Sequence, residues 1–198
     1  MVKVDIDQNP QIARSYGIKS IPRVIVTTSE SDRLFDVTGY GGSAPFFQKF
    51  EAMPEDMKNV AIELEYYKED KSAKNEFDLA VAYQETAQGI SDARIKSSFL
   101  SISAKHFKRV LKKAEKDELK QYAEMNLALN AAIRGSEKKA MKMMNKAKVD
   151  MDNPHLADFA NYVMAYCYDC QGNTQKVEEL KAEIKNEKLI ASLGKNQE

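Results

Sequence analysis

The sequence predicts an α+β/α chain: a short α/β domain over residues 1–53, followed by an all-α domain over residues 54–198. Three observations predict it. Up to residue 53, short β-branched runs, "VKVDI", "RVIVTT" and "RLFDVT", alternate with Gly, Pro and Asn, which is the texture of strands joined to short helices. Beyond it Gly and Pro nearly vanish, with three glycines in residues 54–193 and one proline after Pro54. Over the same stretch apolar residues recur at helical spacing, the mark of amphipathic helices.

Composition narrows the function classes. With 198 residues and 43% hydrophobic content, the chain can furnish a real core. Lys plus Arg equal Asp plus Glu at 30 each, so no bulk charge draws it to nucleic acid or anionic lipid, and no nucleic-acid partner is expected. No apolar run approaches the roughly 18 residues of a membrane span. Two cysteines and two histidines are too few for a disulfide framework or a His-rich metal site, and no cofactor is expected.

The elements follow from local signals. Strands are expected at Val2–Ile6, Arg23–Thr28 and over "RLFDVTGY". Gly17 follows a helical run and suits the left-handed conformation that ends it. "PEDMKNVAIELEYYKED" puts Pro54 at a first helical position with Glu55 and Asp56 in the first turn, where the helix dipole favours acids. Six more helices are predicted near 73–88, 92–115, 118–134, 136–149, 154–171 and 174–190. Asn153 ahead of Pro154 reads as a cap, as does Asn173 or Thr174 for the last helix.

The helical part contains a loose repeat. "LAVAYQETAQG", "MNLALNAAIRG" and "YVMAYCYDCQG" place a large apolar residue, then Ala, then Gly at equal offsets: Leu79, Ala82, Gly89; Met125, Ala128, Gly135; Tyr162, Ala165, Gly172. Antiparallel helix pairs need a small residue where the axes approach and favour Gly where the first helix stops. Residues 121–154 resemble the tetratricopeptide repeat, with Ala128, Ala140 and Ala147 at that family's small positions and Pro154 closing the unit. The chain lacks Trp and its first interval exceeds the 34-residue period, so an irregular helical bundle stays open beside the repeat.

"VDIDQNPQIARSYGIKSIPRVIV" and the strands after it, with Tyr16-Gly17-Ile18, Ile21-Pro22 and Gly39 in order, resemble the C-terminal half of a thioredoxin-like domain. The resemblance covers residues 2–53. It implies a cis proline at Pro22 beside a redox dithiol, and a substrate-binding edge at Ser20, Ile21, Pro22 and Gly39, where the backbone of Ile21 pairs with an extended peptide by strand addition. The other reading of Pro22 is a residue that merely starts a buried strand. The family's Cys-x-x-Cys half is missing from this sequence, so Met1 reads as an internal start and the compartment, bacterial cytoplasm or periplasm, stays unassigned. Exposed strand edges in such a truncated domain imply self-association.

"CYDC", Cys167 to Cys170, has the dithiol spacing. Its place before Gln171-Gly172, at a predicted helix C-terminus, opposes a thiolate, and Asp169 adds a like charge. Packing is favoured there over a redox pair or half a metal site. "KHFKRVLKKAEK" sets Lys105, Lys108, Arg109, Lys112, Lys113 and Lys116 on one helix face, either a solvated face or a site for an acidic partner. Met141, Met143 and Met144 with Tyr162, Tyr166 and Tyr168 are either core or an adaptable peptide groove.

Two functions follow. One is a thiol-disulfide redox protein whose helical tail binds protein or peptide clients, inactive in the supplied chain for want of a dithiol. The other is a non-catalytic, holdase-like scaffold binding the same class of partner.

Overall fold

A computed structural model describes residues 3–39, 41–48, 50–54 and 56–193. The chain divides into two compact units, Met1–Pro54 and Glu55–Glu198.

The first unit holds helix α1 (Pro10–Ser15), strands β1 (Arg23–Thr27) and β2 (Arg33–Thr38) and helix α2 (Ser43–Gln48). Asn9 and Pro10 start α1, and Gly17, at φ +60°, stops it. The amide of Ile18 then reaches back to the carbonyl of Ala13 at 2.8 Å, the bond that a left-handed residue past a helix end permits. β1 and β2 form an antiparallel hairpin with Val24 opposite Val37 and a bulge between Val26 and Thr27. In its turn the Thr28 hydroxyl accepts the amides of Glu30 and Asp32, at 3.2 and 3.1 Å. Leu34 and Val37 are the buried residues among those described in this unit, and Phe35, Phe46 and Phe50 pack edge to face or tilted beside them.

This arrangement overturns the expected α/β domain. The described residues are mostly helical and carry only a two-stranded sheet, which is not a thioredoxin-like fold. The strand expected at Val2–Ile6 is absent from its described part. Asp5 is the cause: its carboxylate accepts the amides of Asp7 and Gln8, at 3.0 and 3.3 Å, and its carbonyl takes the amide of Asn9. Such local capture competes with strand pairing.

The second unit is all helix: α3 (Lys58–Glu69), α4 (Ala73–Gln88), α5 (Ala93–Lys113), α6 (Asp117–Ile133), α7 (Glu137–Met144), α8 (Pro154–Asp169), α9 (Thr174–Glu183) and α10 (Glu187–Ser192). Caps set the starts. Asp92 accepts the amides of Arg94 and Ile95, both at 2.9 Å, and Asn153 accepts those of His155 and Leu156 with Pro154 in the first turn. Asn173 takes the amide of Lys176. Pro54 lies outside α3, whose start is ordered by the Asp56 carboxylate on the amide of Lys58. The single helix expected at 174–190 is broken, because buried Asp158 accepts the amides of Lys185 and Asn186, at 3.1 and 2.9 Å, and Asn186 then caps α10.

Consecutive helices pair, α4 with α5, α6 with α7 and α8 with α9, and the first members α4, α6 and α8 touch in series. The repeated residues sit at these contacts. Leu79, Met125 and Tyr162 are buried, as are Ala82, Ala128 and Ala165. One core cluster joins Ala80 of α4 to Phe107, Val110 and Ala114 beside α5 and to Ala123 of α6, and another gathers α6, α7 and α8 with Ile184 and Leu193. A buried polar chain links α4, α5 and α6. Gln84 donates to the carbonyl of Asn126 and the side-chain oxygen of Asn130, at 3.0 and 3.1 Å, and Asn130 donates to the Ser103 hydroxyl at 3.0 Å.

Candidate functional site

In the first unit the structure brings together the four residues singled out for peptide binding. Pro22 precedes β1 and Gly39 follows β2, and the Gly39 amide donates to the Pro22 carbonyl at 2.8 Å. Gly39 has φ +79°, which a side chain resists. The Ile21–Pro22 peptide bond is cis. Ser20, Ile21, Pro22 and Gly39 are all exposed, Ile21 by 68%, and Pro22 directly precedes β1, whose residues are half-buried. β1 and β2 pair only with each other among the described residues. Arg23 braces the hairpin by donating to the Asp36 carboxylate from the facing strand.

The cysteines belong to the second unit, at the end of α8. Cys167 is 0% exposed within the α6–α8 core, and burial, helped by Cys170 and Glu137, pushes its thiol up to about 12. Cys170 is the exposed C-cap, and its thiol is also raised, by burial, Glu137 and Asp169. Neither has the depressed pKa that a redox thiolate requires. Tyr162, Tyr166 and Met144 lie in the same core, with Met141 and Met143 packed on it, and burial raises both tyrosine hydroxyls. These five are packing residues of the α6–α8 core, with Tyr166 also reaching a surface depression.

The basic helix α5 departs furthest from the sequence expectation. Two of its side chains, Lys113 and His106, bond a fully buried carboxylate. Glu76, on α4, receives Lys113 on one oxygen and His106 Nδ1, at 3.1 Å, on the other, with Arg109 and the Tyr67 hydroxyl each 3.4 Å away. His106 stacks on Tyr83 with centroids 6.0 Å apart, and Lys113 sits over the Tyr67 ring. Burial alone would raise the Glu76 carboxyl; the bonds from Lys113 and His106 outweigh it and hold the group below the ordinary value of 4.5. A signal for this existed: Glu76 shares its register with Leu79, Ala80 and Tyr83 at offsets of three, four and seven, so the helix buries it with them.

The outward cations do something different. Lys105, Lys108, Arg109 and Lys112 line a depression of about 450 Å³ with Ser101, Ala104 and Arg134. Arg134 is held there by the Ser101 hydroxyl at 2.8 Å and the Ser97 carbonyl at 3.1 Å, and burial lowers its pKa. A second depression, of about 440 Å³, lies at the turns of the helix pairs, with Gly89, Gly135, Tyr166 and Cys170 on its wall. No helix among the described residues is long and apolar enough to cross a membrane.

No family model matches the chain, and no curated protein and no solved structure does.

Proposed function

We propose that the chain is a non-catalytic, holdase-like protein-binding module. The observation that carries this reading is the serial packing of α4, α6 and α8, the first members of three helix pairs, an arrangement able to present surfaces to partners. Ile21 supports it from the first unit, as a large apolar side chain left in solvent beside β1, which pairs only with β2 among the described residues. Burial raises both thiols, away from the thiolate that the redox activity implied by the resemblance to thioredoxin needs, and that activity forms no part of the proposal.

One assay tests both readings. When insulin is reduced by dithiothreitol, its B chain aggregates and scatters light. The chain is expected to lower the final scattering without advancing its onset, and Ile21→Asp to weaken the suppression by about half or more, since a charge at an apolar contact costs roughly 1 kcal/mol or more. An earlier onset that Cys167→Ser abolishes would establish redox turnover instead; unchanged scattering would overturn the proposal.

A further inference from the structure

We infer that the depression on α5 is a docking site for an acidic segment of a partner protein. This inference rests on the reading of the chain as a binding module and names the partner chemistry one of its surfaces fits. Ser101, Lys105, Lys108 and Lys112 stand at offsets of four, seven and eleven, which on an α-helix is a single stripe. Its length, about 16 Å at 1.5 Å per residue, matches about five residues of extended peptide.

The charge along this stripe is segregated. The chain carries equal numbers of acids and bases, yet no carboxylate is among the seven residues lining the depression. Lys108 and Lys112 are exposed and have no carboxylate partner among the described residues. Lys113, on the same helix, is spent on Glu76, and Arg109 lies between the two environments, 3.4 Å from Glu76 and on the wall of the depression. Ala104 is the one small apolar side chain of the lining, and Arg134 is already oriented by Ser97 and Ser101. Carboxylates entering here would meet cations whose geometry costs little to organise. No aromatic ring lines the depression, so the main stacking platform for nucleic-acid bases is missing, and a peptide is favoured over a single strand of equal charge.

Fluorescence polarisation on the full chain tests the inference, with labelled oligoglutamate as probe and oligothymidylate of matched charge as competitor. Oligoglutamate is expected to bind, to be displaced only weakly by the oligonucleotide, and to lose about tenfold or more in affinity when Lys108→Glu and Lys112→Glu are combined. Circular dichroism confirms that the variant is folded; should the reversal disturb the helix, Lys108→Ala with Lys112→Ala carries the same test at a several-fold loss. The inference is overturned by undetectable peptide binding, by affinity unchanged in the variants, or by oligonucleotide binding as tight as the peptide's. Suppression of insulin B-chain scattering, retained while peptide binding fails, would sink this site and leave the module reading standing.

Discussion

Glu76 shows at the scale of one residue how a charge can be buried and still stabilise. Alone at 0% exposure, a carboxylate would cost several kcal/mol, yet four groups from α3 and α5 meet it. Glu76→Gln is expected to destabilise the chain by about 2 kcal/mol at neutral pH, because Lys113 and His106 lose a charge-assisted acceptor. The pH dependence has a fixed sign. The folded carboxyl titrates below its unfolded value of 4.5, so its contribution is complete above that value and is lost as pH falls through the lower, folded one. Urea denaturation should therefore show the gap between wild type and Glu76→Gln closing in acid; a gap that widens there would refute the assignment. Sequence reading grouped Arg109 and Lys113 with a solvated or partner-facing stripe. It had no means to pair them with an acid more than thirty positions earlier, although the apolar register of Glu76 already marked it as inward.

At the scale of elements, the three glycines that end the first helices of the pairs are not equivalent. Gly135 and Gly172 have φ +74° and +70°, and the amides after them reach back to Ala131 and Tyr168. Gly89 ends α4 at φ −78°, with an added Cβ meeting nothing closer than 3.8 Å. Gly89→Ala is therefore expected to be neutral or to stabilise by up to about 1 kcal/mol, whereas Gly135→Ala and Gly172→Ala cost about 1–2 kcal/mol each, read as shifts in melting temperature. Most helices of the second unit were legible because caps, prolines and glycines punctuate a strong apolar period. What failed did so for physical reasons beyond local pattern. The break between α9 and α10 is made by Asp158, some 27 positions away, and the expected strand at Val2–Ile6 yields to a turn that Asp5 builds with its own neighbours.

At the scale of the whole molecule, the two units differ in how much core they own. In Met1–Pro54 only Leu34 and Val37 are buried among the described residues, while the second unit has two clusters spanning successive helix pairs. A fragment of residues 55–198 is expected to unfold cooperatively by circular dichroism, and one of residues 1–54 to show no cooperative transition, because so small a buried area cannot offset backbone entropy. A sharp transition in the shorter fragment would contradict this. The sequence resemblance that suggested a thioredoxin-like domain rested on turn residues and strand runs; of the turn residues, Gly17 ends its helix as its conformational freedom led one to expect. Turn chemistry is local, whereas a sheet of several strands is not, which is why the first was readable and the second misled.

The polar chain from Gln84 through Asn130 to Ser103 has one more consequence, for fidelity of assembly. Apolar contacts between helix pairs that repeat a large residue, Ala and Gly at equal offsets are non-directional and select a register only weakly. Sliding α6 by a turn along α4 would strand Gln84 and Asn130 in the interior without acceptor or donor, at about 1–3 kcal/mol for each orphaned group. The amides thus act as a key that admits one alignment of three helices, and leave the greasy contacts around them free to be generic.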